Sequence, residues 1–178
     1  MNVCVDFDDL CDNVQHELDA VQALHEQHPT IKITLFAIPK RCSAKLIQRA
    51  KALGDWIQLA PHGWRHTRGE CFGWTVDEAI AKITAARDMG IDAPCFRAPG
   101  WLLDQDTYTA CKELGYTVCS HEVFRVFNTG VSEYVYNIYK PKFTAVHGHL
   151  TPVTNNHIST CVVPVGNYVF PQDIACVS

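Results

Sequence analysis

The sequence contains no dense cluster of basic residues and no apolar stretch long enough to cross a bilayer. Lysine and arginine together number 15, whereas aspartate and glutamate number 19, so the formal net charge is -4. A phosphate backbone is held mainly by clustered Lys and Arg side chains, and a membrane-spanning helix needs about 20 consecutive apolar residues. These absences predict that neither nucleic acid nor a membrane is a partner of this chain.

The sequence also lacks the signs of export and of a disulfide framework. Met1 leads almost directly into an apolar run, without the basic region, apolar segment and cleavage site of a secretory signal. No Cys-x-x-Cys pair occurs, and the nine cysteines are odd in number and irregularly spaced. We therefore expect a cytoplasmic chain with reduced thiols. The cysteines are Cys4, Cys11, Cys42, Cys71, Cys95, Cys111, Cys119, Cys161 and Cys176.

Internal repeats, low-complexity tracts and linkers are absent as well. The composition, 47% hydrophobic and 19% charged over 178 residues, is ordinary for a globular protein with a real core. We expect one domain that spans residues 1–178, and the sequence leaves its oligomeric state open.

Up to about residue 121, short β-prone runs alternate with longer helical patterns, which is typical of parallel strands joined by crossover helices. Beyond that point the alternation weakens. The pattern predicts an α/β fold, a distorted or incomplete (β/α) barrel of parallel strands. The predicted strands are Asn2–Phe7, Ile31–Ile38, Trp56–Ala60, Cys95–Arg97, Tyr116–Ser120, Tyr134–Tyr139 and Phe143–His149, with a broken β-prone run at Ile158–Phe170. The predicted helices are Leu10–Gln27, Ser43–Leu53, Val76–Met89 and Asp106–Leu114.

Residues with catalytic chemistry follow several of the predicted strands. An acidic pair, Asp8-Asp9, ends the first strand, and His62 follows the third in the segment His-Gly-Trp-Arg-His that ends at His66. Parallel α/β sheets and barrels gather their functional groups at these strand ends. One carboxylate and two imidazoles suffice to hold a catalytic zinc with a position open for water, and a second carboxylate is left as a base. The pattern predicts a metal hydrolase.

Four segments, in the right order between residues 3 and 149, resemble the polysaccharide deacetylases, also called the NodB-homology or carbohydrate esterase family 4 domain. The family motif T/S-F-D-D resembles Asp6-Phe7-Asp8-Asp9, and H-S/T-x-x-H resembles the segment from His62 to His66. The R-x-P motif resembles Arg97-Ala98-Pro99, and the family's late strand ending in histidine resembles residues 143–149.

The resemblance implies that Asp9, His62 and His66 bind a metal ion, Zn²⁺ or another divalent transition metal such as Co²⁺. It implies that Asp8 is the general base that takes a proton from water. An amide has a poor leaving group, so the reaction also needs a general acid and a polarised carbonyl.

The remaining roles follow from the same resemblance. Arg97 would orient Asp8 and keep it ionised, and His147 or His149 would be the general acid. Both histidines lie on one face of the strand if it stays extended through Gly148, because side chains repeat with period two, so the sequence does not choose between them. Pro99 and Trp101 are the expected substrate contacts.

Three positions depart from the family pattern. Gly63 stands where the family has a Ser or Thr that supports the metal site, and Leu10 replaces the Gly after the acidic pair. The family's fourth motif, which contains Asp and Trp, is not recognisable near residues 120–122. These departures affect the residues that support the metal site and those that contact the substrate. Replacing a residue that orients a metal ligand typically lowers metal affinity or activity about 10- to 100-fold.

The expected activity is metal-dependent hydrolysis of an N- or O-acetyl group on a small-molecule or oligosaccharide substrate, or of another non-peptide C–N bond. One alternative is a Mg²⁺-dependent phosphatase of the haloacid dehalogenase type, since Asp6-Phe7-Asp8 also resembles its D-x-D motif. The other is a catalytically silent metal- or sugar-binding module on the same scaffold.

Overall fold

The computed structural model describes residues 2–119, 143–150, 163 and 166–173. Within them no helix is long and apolar enough to cross a membrane, and the seven cysteines are buried and free. The strands are β1 (Asn2–Leu10), β2 (Ile33–Ala37), β3 (Ile57–Pro61), β4 (Cys95–Phe96), β5 (Thr117–Val118), β6 (Phe143–His149) and β7 (Asn167–Tyr168). The helices are α1 (Glu17–Gln27), α2 (Ala44–Lys51), α3 (Val76–Asp88) and α4 (Gln105–Glu113).

The strands form an arc of parallel neighbours. One sheet has the order β3-β2-β1-β6, with β7 paired to the start of β1, and β4 pairs with β5 in a second sheet. Backbone hydrogen bonds join the ends of β3 and β4, from Arg97 N to Pro61 O at 3.1 Å and from Gly63 N to Arg97 O at 3.1 Å. The arc therefore runs β6-β1-β2-β3-β4-β5, and the predicted parallel α/β fold is confirmed.

The core lies between this arc and the helices. β2 is buried along its whole length, as a continuous apolar run predicts for a central parallel strand. One core cluster joins β1 and β2 to the apolar faces of α1 and α2, and a second joins β4 and β5 to α3 and α4. Three of the helices begin at N-cap residues whose side chains accept a backbone N–H three residues on, namely Ser43, Thr75 and Asp104.

Most predicted boundaries shift by one or two residues, and the largest error is at the first helix, which begins at Glu17 and not at Leu10. β1 continues to Leu10, whose carbonyl accepts a hydrogen bond from Ile38 N at 3.0 Å. The next residues form a short 3₁₀ turn in which Asp12 accepts hydrogen bonds from the backbone N–H and the hydroxyl of Ser43. These contacts tie the segment to the start of α2 and so keep it out of the helix.

The late part of the chain is described only in pieces. The predicted strand Phe143–His149 is present with the predicted bounds. The predicted strand Tyr134–Tyr139 lies outside the described residues, and within the run Ile158–Phe170 the described strand is Asn167–Tyr168.

A bulge in β1 decides where the acidic pair points. β1 pairs with β2 at Phe7 opposite Leu35 and next at Leu10 opposite Ala37, so Asp8 and Asp9 together oppose one residue of β2. Asp9 has a φ of 73°, in the left-handed region that non-glycine residues seldom occupy. In a regular strand two successive side chains face opposite sides, and the bulge instead directs both carboxylates to the same site.

Candidate metal centre

Asp9, His62 and His66 converge at the carboxyl ends of β1 and β3. Each offers one ligand atom, and these atoms lie within 4.8 Å of one another. Asp9 Oδ1 lies 3.5 Å from His62 Nε2 and 2.9 Å from His66 Nε2. Ligands around a tetrahedral zinc with bonds of about 2.0–2.1 Å are separated by about 3.3 Å, so the two distances bracket the value that zinc requires.

The chemistry of these atoms also fits a cation. Asp9 Oδ1 is buried, and neither nearby ring nitrogen is aligned to give it a hydrogen bond. Burial alone would raise the pKa of Asp9, but the His62 and His66 side chains beside it lower that pKa below its usual range. An ionised oxygen without a hydrogen-bond donor, next to two imidazole nitrogens, is a donor set that suits Zn²⁺ or Co²⁺.

The orientation of the His62 ring is fixed by a hydrogen bond from its Nδ1 to the backbone. Its backbone continues β3 and forms an isolated parallel bridge with Arg97. Its Nδ1 lies 3.0 Å from the carbonyl oxygen of Arg97, which can only accept, so Nδ1 carries the proton. The Nε2 lone pair therefore faces Asp9, in the arrangement usual for a metal-binding histidine.

His66 is presented by a tight loop that depends on Gly63. Gly63 has a φ of 61° and His66 a φ of 62°, both in the left-handed region. A Cβ at position 63 would overlap the Glu70 carboxylate and the Pro99 ring. The departure from Ser or Thr noted in the sequence therefore has a steric cause, because only glycine fits between these two neighbours.

Glu70 supports the same loop, a role that the sequence analysis missed. Its Oε1 accepts backbone N–H groups from Trp64, Arg65 and His66 at 2.8, 3.1 and 2.9 Å, and its Oε2 accepts that of Arg65 at 2.9 Å. A carboxylate that binds successive backbone amides leaves no motif of side-chain spacing, so no sequence signal pointed to it. The Glu70 carboxylate occupies the space beside Gly63 and holds the loop that carries His66.

Asp8 and Arg97 form a buried ion pair next to the candidate metal ligands. Arg97 Nη1 donates to Asp8 Oδ1 at 2.7 Å, and both side chains are almost fully buried. The guanidinium packs against two aromatic rings, 4.0 Å from the centroid of Phe36 and 4.4 Å from that of Trp101. Asp8 Oδ2 remains directed toward His62 Nε2, 3.7 Å away. A planar, stacked guanidinium fixes one carboxylate oxygen and leaves the other facing the site.

Asp6 is a second partner of Arg97, and the resemblance to the deacetylases assigned it no role. It is fully buried, and its two oxygens accept from Arg97 Nη1 and Nη2 at 2.5 and 3.2 Å. His147 Nδ1 lies 2.6 Å from Asp6 Oδ1. Burial alone would raise the pKa of Asp6, but the Arg97 charge and the hydrogen bonds from His147 and Arg97 lower it. Asp6 precedes Asp8 by two residues and therefore lies on the same face of β1. This spacing in the sequence could have indicated that Asp6 belongs to the site.

The other predicted residues lie around this network. His149 is two residues beyond His147 on β6, with ring centroids 5.0 Å apart, and burial lowers its pKa. Asp8, His147 and His149 also offer ligand atoms within 4.8 Å of one another. Trp101 is half-buried with its ring 5.3 Å from that of His147, and Pro99 is buried. The structure thus brings all the predicted side chains to one end of the arc.

No protein-family profile and no curated protein matches the sequence, but solved structures match the fold. A family 4 carbohydrate esterase from Streptomyces lividans, in complex with acetate, has a TM-score of 0.59 at 13% identity, over 89% of this chain and 82% of that one. A family 4 acetyl xylan esterase from Clostridium thermocellum, in complex with a cobalt ion, has a TM-score of 0.55 at 16% identity, over 88% and 77%.

A third match is a family 4 pseudoenzyme from Bacillus anthracis, with a TM-score of 0.61 at 10% identity, over 89% of this chain and 59% of that one. At these identities the matches establish the fold and not the activity. The chain has the fold of the family 4 carbohydrate esterases, which confirms the resemblance seen in its motifs.

Proposed function

We propose that this chain is a metal-dependent deacetylase that removes an acetyl group from a carbohydrate. The observation that carries the proposal is the convergence of Asp9 Oδ1 with the ring nitrogens of His62 and His66, next to the buried Asp8–Arg97 pair. Three ligands leave a fourth position for water or substrate, which is the arrangement of a catalytic zinc and not of a structural one. The structural neighbours that carry esterase names support the same reading.

Asp9, His62 and His66 would hold Zn²⁺, or Co²⁺ in its place. Such an ion polarises an acetyl carbonyl and lowers the pKa of a water molecule to about 7. Asp8 takes the proton of the attacking water through Oδ2, because its Oδ1 is already held by Arg97. A histidine of β6 protonates the leaving nitrogen or oxygen, so that no unstable anion departs.

The substrate would lie along the loop that continues from His66. An open cleft of about 450 Å³ is lined by Arg68, Gly69, Phe72 and Leu102. Its lining is mostly apolar and includes an exposed aromatic ring, Phe72. Such a surface suits the apolar face of a sugar ring, and Leu102 follows Trp101, which packs beside His147. We therefore place an acetylated oligosaccharide in this cleft.

The phosphatase alternative fits the geometry less well. Its D-x-D motif would make Asp6 the nucleophile, yet Asp6 is fully buried and both its oxygens bind Arg97. A Mg²⁺ site is also expected to consist of oxygen ligands, whereas two of the three converging side chains are histidines. The silent binding module remains the second candidate, because one neighbour of the same fold is a pseudoenzyme.

The test is acetate release from N-acetylglucosamine oligosaccharides before and after treatment with a chelator. We expect the chelator to abolish release and Zn²⁺ or Co²⁺ to restore it. Asp8→Asn should keep zinc bound but lose turnover by a factor of about 10² or more, whereas Asp88→Asn, at an exposed position on α3, should behave as wild type. Activity that survives the chelator refutes the metal mechanism, and zinc binding without any turnover in the wild-type protein indicates the silent module.

A further inference from the structure

Asp6 and His147 face each other across two adjacent parallel strands. The register of β1 and β6 places Asp6 opposite His147 and Asp8 opposite His149. The contact from His147 Nδ1 to Asp6 Oδ1, at 2.6 Å, is shorter than the 3.2 Å that separates the same nitrogen from Arg97 Nη1. The partner of His147 is thus set by strand pairing and does not depend on a loop.

The proton on His147 can be placed from its surroundings. Asp6 is fully buried between Arg97 and His147, and the hydrogen bonds that it accepts from the guanidinium keep it ionised and able only to accept. Arg97 Nη1 already donates hydrogen bonds to the carboxylates of Asp6 and Asp8. His147 Nδ1–H therefore donates to Asp6, and its Nε2 points toward Asp8 Oδ2, 3.8 Å away.

We infer that His147, and not His149, is the general acid of the proposed deacetylase, and that Asp6 is the positioning residue that fixes its ring. The inference rests on the proposed function. The water proton goes to Asp8 and the hydroxyl bonds to the acetyl carbon. The C–N bond then breaks, its electron pair stays on nitrogen, and that nitrogen takes a proton from His147 Nε2. The proton held by Asp8 then restores the proton lost by His147.

His149 lacks the features that an acid of this kind requires. Among the described residues no hydrogen bond orients the His149 ring, whereas the hydrogen bond to Asp6 orients that of His147. The side chain of His149 is more exposed than that of His147, which is 19% exposed. His147 also packs against Trp101, which covers Arg97. The ring of His147 is therefore held on two sides, by the hydrogen bond to Asp6 and by Trp101.

The test compares two substrates that differ in their need for an acid. An N-acetylglucosamine oligosaccharide requires protonation of its nitrogen, whereas 4-nitrophenyl acetate releases a stable phenolate without it. His147→Gln should lower kcat for the oligosaccharide by about 10²–10⁴ and leave that for 4-nitrophenyl acetate nearly unchanged. Asp6→Asn should give the same selective loss, about 10- to 100-fold. The double variant should be no slower than His147→Gln alone.

Asp88→Asn, at an exposed position on α3, is the control and should change neither rate, and His149→Gln tests the other candidate acid and should show no selective loss on the oligosaccharide. Equal losses on both substrates in Asp6→Asn, or a selective loss in His149→Gln, would overturn the inference. If Asp6→Asn does not fold, because Arg97 then lacks a buried partner, His147→Gln decides, since it leaves the Asp6–Arg97 pair in place. A His147→Gln variant with full oligosaccharide turnover overturns the inference as well.

A second readout does not depend on activity. In ¹⁵N-histidine NMR of the wild-type protein, the proton on His147 Nδ1 should give a signal that is shifted strongly downfield. This signal should be absent from His147→Gln and should move upfield in Asp6→Asn. A His147 protonated only on Nε2, or unchanged in Asp6→Asn, refutes the pairing. If the wild-type protein hydrolyses neither substrate, the proposed function fails while this measurement still tests the role of Asp6.

Discussion

Glu70 should control zinc affinity although it is not a ligand. It accepts four hydrogen bonds from the backbone N–H groups of Trp64, Arg65 and His66. Glu70→Gln keeps the shape but removes the charge and replaces one acceptor oxygen with a donor. Hydrogen bonds to charged groups are worth about 1 kcal/mol more than neutral ones. If the loss of the charge weakens two of the four hydrogen bonds by this amount, the loop is destabilised by about 2 kcal/mol. That cost corresponds to about a 30-fold rise in the zinc Kd, and because Glu70 is only half-buried we expect about 10- to 30-fold.

Competition between the protein and a zinc-binding dye gives this Kd directly. Glu78→Gln is the matched control, since Glu78 is an exposed acid on α3 that pairs with Lys82 at 2.9 Å and does not touch the loop. We expect its Kd to stay within about twofold of wild type, as is usual for a surface ion pair. A Glu70→Gln variant that binds zinc as tightly as wild type would show that the loop presents His66 without help from Glu70.

Two further substitutions test the packing behind the site. Gly63→Ala should lower the melting temperature and weaken zinc binding, because its Cβ would overlap the Glu70 carboxylate. Gly69→Ala, at a φ of 72° with no atom within 4 Å of the added Cβ, is the control for backbone strain alone. Equal effects of the two variants would contradict the overlap. Arg97→Met should lower the free energy of unfolding in urea by about 3–5 kcal/mol at pH 7, since it leaves buried carboxylates unpaired. Burial raises the pKa of Asp6 and Arg97 lowers it, so Asp6 of the folded variant is protonated at higher pH than in the wild type. The loss of unfolding free energy in the variant should therefore become smaller as the pH falls. A loss that stays the same in acid would refute this account.

The fold and the candidate metal ligands could be predicted from the sequence for a clear reason. Alternating strand and helix patterns placed Asp9 and His62 at strand ends, and parallel strands bring such ends to one edge. His66 followed from its spacing to His62, and Arg97 from the segment after β4. Each of these residues acts through its own side chain at a position that local pattern defines.

Other features depend on contacts that no local pattern encodes. The bulge at Asp8-Asp9 has no glycine to mark it, and it becomes visible only in the pairing of β1 with β2. Glu70 binds backbone amides, which carry no residue identity. Asp6 acquires its partner through the register with β6, about 140 positions away in the chain. Register between strands so distant in sequence is a property of the assembled sheet.

The pairing of β1 with β6 also has a consequence for synthesis on the ribosome. The groups proposed to hold the cation all lie within the first 66 residues, whereas His147 belongs to a strand translated much later. A nascent chain that had emerged only through Glu70 would contain the three proposed ligands and the carboxylate that holds their loop, but not the proposed proton donor. Capture of the ion and hydrolytic competence would then be separate events in the maturation of the protein, divided by the docking of one late strand.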